Sequence, residues 1–144
     1  MKTDNTKKVM VVDDVQHMRE LLSLILKNEG YDVIESVNGK DALAKLDGLS
    51  IDMLITDLNM PVMNGFELVK RLRNRDDFHS TPVIMVSSEN HEAIKEKARH
   101  IGVNEWIIKP LIPSDLMDAV RRLIAKKGHL MREWRSMASI TINS

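Results

Sequence analysis

Cysteine is missing from these 144 residues, which removes disulfide staples, thiolate metal sites and cysteine nucleophiles together. The absence fits a reducing compartment. Neither sign of charge is in excess: Lys plus Arg and Asp plus Glu are 21 each, for a net charge of zero. The whole-chain field therefore gives no reason to expect nucleic acid or an anionic membrane as the main partner. Long apolar runs are also lacking. The polar start MKTDNTKK leads into only Val9 to Val12 before Asp13, far short of a signal peptide or the roughly 18 residues that a membrane span needs. A cytoplasmic protein with no membrane partner is expected. There is no internal repeat and no low-complexity linker. What remains is an ordinary soluble balance, 43% apolar and 29% charged, at a length that suits one domain with a substantial core.

Short apolar runs alternate with amphipathic stretches along the chain. The runs are Val9 to Val12, Asp32 to Ser36, Met53 to Ile55, Val83 to Val86 and Trp106 to Ile108. Most are nearly continuously apolar and rich in β-branched residues, as strands buried on both faces should be. Between them, Val15, Met18, Leu21, Leu22, Ile25 and Leu26 fall at helical spacing, with Gly30 at the stop. Asn38-Gly39 opens a short helix through Leu46. Phe66, Val69 and Leu72 mark a third helix, and Ala93, Ile94 and Ala98 a fourth that ends before Gly102. Ser114 is expected to cap a fifth, striped by Leu116, Val120, Leu123 and Ile124 and stopped at Gly128. Five strand-then-helix units predict an α/β fold, a doubly wound parallel sheet with helices on both faces. In such a sheet ligands bind beyond the carboxyl ends of the strands.

Those ends carry Asp13-Asp14, Asp57, Ser87 and Lys109. One acid of the first pair is expected to cap the following helix. Two adjacent carboxylates exceed what a cap needs, and a hard cation such as Mg2+ relieves their repulsion. Asp57 adds a third negative charge to the same mouth. A carboxylate can attack phosphorus to form an acyl phosphate, and Mg2+ would offset the repulsion between it and an incoming phosphoryl group. The Ser87 hydroxyl can donate to a phosphoryl oxygen. Lys109 emerges from a buried strand before Pro110, where a cis peptide is permitted, and its amine can pair with the acids or with the phosphoryl group. Each residue alone has a bland reading as a cap, loop acid, strand-end hydroxyl or surface lysine; five such coincidences at one mouth do not.

The motifs VVDD, TDLNMPVMNG, VIMVSSE and WIIKP, in this order, resemble the receiver domains of bacterial two-component response regulators over residues 7–127. The resemblance implies a five-stranded CheY-like sheet in the order 2-1-3-4-5 with five helices. It implies Asp57 as phosphoacceptor. Mg2+ would be held by Asp13, Asp14, Asp57 and the backbone carbonyl of Asn59, while Ser87 and Lys109 would bind the phosphoryl group. Pro61 and Gly65 match the family's turn, where glycine is expected to relieve backbone strain. Asn59 and Glu89 resemble the chemotaxis regulators and are expected to tune dephosphorylation toward a short lifetime. Trp106 stands where the family usually has the Tyr or Phe of an aromatic switch. The position is either plain core burial in a strand or a switch whose inward swing the larger indole, with only an N–H donor, obstructs.

After Gly128 only HLMREWRSMASITINS remains, too short for a DNA-binding fold. Residues 128–144 are read as a tail, helical in part through Leu130, Met131, Trp134 and Met137, with no separate output domain. A monomer is expected, fed by a histidine kinase and binding a downstream protein through the fourth helix, fifth strand and fifth helix. Chemotaxis and flagellar motor control are the preferred setting. A phosphorelay shuttle to a histidine phosphotransferase is the alternative. The chain is not expected to be a conventional enzyme, although it assists its own phosphorylation and dephosphorylation. An aspartyl-nucleophile hydrolase of the haloacid dehalogenase group is disfavoured because Asn59 stands where that group places its general acid. A flavodoxin-like carrier is disfavoured because Asp13-Asp14 would repel a flavin phosphate. His17, His79, His91, His100 and His129 show no zinc spacing and are read as surface residues. Ten methionines suggest adaptable packing.

Overall fold

The computed structural model describes residues 6–143, with side chains described through residue 128 and at 132, 133, 136 and 137. Strands β1 (Lys8–Val12), β2 (Asp32–Ser36), β3 (Met53–Asp57), β4 (Val83–Ser87) and β5 (Glu105–Ile108) alternate with helices α1 (Gln16–Asn28), α2 (Gly39–Leu46), α3 (Gly65–Arg73), α4 (Glu92–Ile101) and α5 (Pro113–Asn143). The strands form one sheet in the order β2-β1-β3-β4-β5, and every pair is parallel. This is the doubly wound architecture that the alternating pattern predicts.

Period-two alternation divides the core into two layers. Met10, Val12, Leu54 and Met85 face a cluster with Ala42, Leu46, Leu68, Leu72 and Ala98 from α2, α3 and α4. Val9, Val11, Ile55 and Ile84 face Leu22, Leu26, Leu116 and Val120 from α1 and α5. Burial of each of these side chains except the alanines is worth about 1.5–3 kcal/mol before chain entropy is subtracted. β1, β3 and β4 are therefore the closed centre of the sheet. β2, at one edge, is only half-buried apart from Ser36.

Helix ends follow local chemistry. Asn38 caps α2 by accepting from the Asp41 N–H at 2.8 Å. Asn64 caps α3 through the Glu67 N–H at 3.0 Å. Gly102 ends α4 in the left-handed conformation, φ 102°. A Cβ at Gly102 would also lie 2.6 Å from Arg73 Nε. That crowding reflects a clamp. The Arg73 guanidinium donates to the carbonyls of Phe78 (3.1 Å), Thr81 (2.6 Å) and Gly102 (2.6 Å). It ties the end of α3 to the segment before β4 and to the loop before β5.

Three local expectations are corrected. Neither Asp13 nor Asp14 is the cap residue of α1: Val15 occupies that position with no side-chain hydrogen bond, and Asp13 reaches only the N–H of Val15 itself. Ser114 does not cap α5, which begins one residue earlier at Pro113, a favourable first position for a residue without an N–H. Gly128 does not stop α5, which continues to Asn143; a helix tolerates an interior glycine at about 1 kcal/mol. The readings of His129, Leu130, Met131 and Trp134 lie outside the described side chains. His17, His79, His91 and His100 are exposed as expected.

Candidate phosphoryl and metal site

The register of the sheet brings the strand ends level. Val12 pairs with both Ser36 and Thr56, Asp57 pairs with Val86, and Ser87 pairs with Ile108. The next residues along, Asp13, Ser87 and Lys109, therefore emerge around Asp57. Lys109 is fixed by its N–H donating to the Ser87 carbonyl at 2.9 Å, and the peptide between Lys109 and Pro110 is cis.

Asp13, Asp14 and Asp57 each offer a carboxylate oxygen within 4.8 Å of the others. Asp13 is fully buried and Asp57 is 7% exposed, whereas Asp14 is exposed. One oxygen of Asp13 accepts from the Val15 N–H at 2.9 Å. The other is buried with no hydrogen-bond donor among the described residues. Asp57 Oδ1 accepts from the Leu58 N–H at 2.8 Å. Lys109 Nζ lies 3.5 Å from Asp57 Oδ1 and 3.7 Å from Asp13 Oδ2. One amine cannot neutralise three carboxylates. Burial pushes the Asp57 carboxyl above its ordinary value; Lys109 opposes this, Asp13 adds to it, and the Leu58 N–H opposes it. Hard oxygen donors, excess negative charge and an orphaned buried carboxylate oxygen are what a divalent cation such as Mg2+ fits. The residues present suit that ion.

Ser87 is fully buried, and its hydroxyl accepts from the Glu89 N–H at 3.1 Å. Trp106, half-buried against the core, donates its indole N–H to the Glu89 carbonyl at 3.0 Å. Both backbone groups of Glu89 are thus held, one by a residue of the mouth and one by β5. Trp106 packs on the core, as the burial reading expects, and its N–H reaches the loop after β4. Asn59 is exposed.

Some of the site was not read from the sequence. Arg19 on α1 donates to the Asp13 carbonyl at 2.8 Å and pairs with Glu35 of β2 at 3.4 Å, bracing the β1–α1 turn. An arginine six residues after an acid carries no signal of that contact. Gly65 is needed for a different reason than expected. Its φ is not in the left-handed region; instead a Cβ there would lie 2.3 Å from the Asp57 carbonyl oxygen, so only glycine lets α3 start against the end of β3. The strained residue of the turn is Val62, with φ 73° and 75% exposure.

The model of the response regulator receiver domain matches residues 9–121. The chain belongs to the response-regulator receiver family. Its relatives include the chemotaxis protein CheY1 of Helicobacter pylori, 42% identical over 113 residues, covering 77% of this chain and 91% of that one. Protein PilG of Pseudomonas aeruginosa is 36% identical over 114 residues, covering 79% and 84%. Among solved structures, chemotaxis protein CheY4 of Vibrio cholerae superposes with a TM-score of 0.79 at 36% identity, covering 82% of this chain and 98% of that one. This receiver is thus related to chemotaxis-type signalling proteins and carries the acidic cluster at the carboxyl end of its sheet. Among its described residues, no helix is long and apolar enough to cross a membrane.

Proposed function

We propose that this receiver accepts a phosphoryl group from a histidine kinase on Asp57 and thereby switches binding to a partner protein. The observation that carries the reading is the meeting of three carboxylates within 4.8 Å with Lys109 at 3.5 Å from Asp57. A free Asp57 Oδ attacks phosphorus, forming a P–O bond as the P–N bond to the donor imidazole breaks. The departing nitrogen keeps the electron pair, and the donor ring, protonated at its other nitrogen, leaves as neutral imidazole. Asp13, Asp14, Asp57 and the Asn59 carbonyl would hold Mg2+, which when bound offsets the charge of the arriving group. Lys109 exchanges its pairing with carboxylates for pairing with the phosphoryl oxygens. Ser87 turns its hydroxyl from accepting the Glu89 N–H toward donating to the phosphoryl group. Loss of that contact loosens one of the two ties on Glu89 and biases the α4, β5 and α5 face, on which the partner binds. The receiver assists these transfers without being a conventional enzyme. Asn59 and Glu89, together with the CheY relatives, support chemotaxis and motor control as the setting in a cytoplasmic, monomeric protein.

Incubation with acetyl phosphate and Mg2+, read by intact mass, tests the chemistry. One phosphoryl group is expected on the wild type and none on Asp57→Asn; equal loading of both overturns the assignment. If Asn59 and Glu89 admit the hydrolytic water, the loaded protein loses its phosphate quickly, and a half-life of hours would contradict that role.

A further inference from the structure

At the pole opposite the acids, α5 runs past the amino-terminal ends of β1 and β3 and closes a second cavity of about 670 Å³. Five-residue strands separate the two poles by about 17 Å at 3.3 Å per residue. The wall contains Lys7, Lys127 and Arg132, with Asp52 and an apolar floor that includes Ile124. The volume is that of a small-molecule site, and apolar walls with a few convergent polar groups are its usual composition. None of the three cations makes an ion pair among the described residues. Asp52 spends one oxygen on the Lys8 N–H at 2.8 Å; its other oxygen is left to accept from a hydroxyl or amine.

Gly128 is the second observation. It lines the cavity in the middle of a helix that spans Pro113–Asn143, where it is the least favourable residue short of proline. Its φ is not in the left-handed region, so the backbone does not demand it. Among the described residues, and apart from the helix's own backbone, a Cβ there would meet Arg132 Nη1 at 3.4 Å. Glycine at this position therefore leaves room beneath the Arg132 guanidinium. Lys127, Gly128 and Arg132 all lie beyond the 9–121 stretch matched to the family, so the cavity is not the phosphoryl site that receivers share.

We propose that this cavity between α5 and the amino end of the sheet binds a nucleotide. Lys7, Lys127 and Arg132 face its phosphates, Ile124 its apolar or planar part, and Asp52 a ribose hydroxyl or exocyclic amine. Among the described residues, three cations beside one open carboxylate oxygen and an apolar floor suit an anion that also carries donors and a flat body. A free phosphate would leave most of the volume unfilled, and a concave site of this size is shaped for a small ligand more than for a protein face.

The experiment uses the whole chain in EDTA, so that no metal bridges an anion to the acidic pole. ATP, GTP and the dinucleotide NAD+ are titrated by calorimetry, with backbone amide shifts followed by NMR. At least one nucleotide is expected to bind one-to-one, shifting amides of residues 7, 52 and 124–132. Lys127→Glu and Arg132→Glu should each weaken binding about tenfold or more, the usual cost of losing a charge-assisted contact. Gly128→Ala should melt no lower than the wild type yet bind more weakly, a separation that a purely structural glycine does not give. Phosphorylation by acetyl phosphate should be unchanged in Lys127→Glu, which keeps this test apart from that of Asp57. No heat or shifts up to millimolar nucleotide would overturn the site. So would shifts elsewhere, equal binding by the variants, inorganic triphosphate binding as tightly as any nucleotide, or polyglutamate binding more tightly, which would mark a surface for an acidic macromolecule instead.

Discussion

At Asp57 the requirements of chemistry and of folding oppose one another. The carboxyl is held above its ordinary value first by burial, with Asp13 adding to the effect and Lys109 and the Leu58 N–H opposing it. A folded-state pKa above the unfolded one means that the folded chain holds more protons in that window. The contribution to stability is then full below the unfolded pKa and is lost as pH rises through the folded one. Ionised Asp57 is accordingly a cost at neutral pH. In EDTA, Asp57→Asn should gain about 1 kcal/mol at pH 7, and the gain should shrink as the pH falls through the carboxylate range. Urea titrations at the two pH values read this, and an equal gain at both would contradict it. Val62 offers a second test. A β-branched residue at φ 73° stores about 1–2 kcal/mol of backbone strain, and asparagine tolerates that region without glycine's added chain entropy. Val62→Asn should add about 1 kcal/mol to the free energy of urea unfolding.

At the scale of elements, two contacts decide how the site's supports meet. Gly65 lets α3 begin against the Asp57 carbonyl, where a Cβ would lie 2.3 Å away. Arg73 secures the other end of the same helix by donating to the carbonyls of Phe78, Thr81 and Gly102. The charge-assisted bonds from this one half-buried guanidinium, five with those to the His79 carbonyl and Asn104 Oδ1, outweigh the exposed pairs, such as Arg71 with Glu67 on α3, which are worth a few tenths of a kcal/mol. Arg73→Met should destabilise by about 2–3 kcal/mol. Arg73→Lys should recover little of it, because a compact ammonium cannot fork to carbonyls of separate segments. Glu67→Ala should change the unfolding midpoint hardly at all. Similar losses for Glu67→Ala and Arg73→Met would show that the clamp is not the dominant tie.

For the whole molecule, the proposed divalent-ion site at the acidic mouth would make stability depend on the ion. An ion that binds only the folded state stabilises it by RT ln(1 + [L]/Kd), about 1.4 kcal/mol at ten times Kd. For a chain of this size that corresponds to roughly 3–6 °C in the thermal midpoint. Mg2+ should raise the midpoint of the wild type by that amount and lower the gain sharply in Asp13→Asn, whose buried carboxylate oxygen has no hydrogen-bond donor among the described residues. Calorimetric melts with and without Mg2+ measure the difference. An equal shift in both proteins would place the ion elsewhere.

The order of the elements, the parallel sheet and the identity of the mouth residues were legible in the sequence, because strand and helix periods are local and a doubly wound sheet gathers its strand ends by topology alone. Asn38 and Gly102 announced helix ends for the same reason: capping and left-handed turns depend on a few adjacent residues. The tertiary structure alone decided what depends on approach between distant segments. Asp13 divides its oxygens between the Val15 N–H and the mouth and leaves the cap position of α1 to Val15, Gly65 serves a close contact with Asp57, Arg73 bridges loops, and α5 passes through Gly128 to cover the far pole. Each of these is set by which surfaces come within a few ångströms of one another, and no residue pattern along the chain encodes that distance.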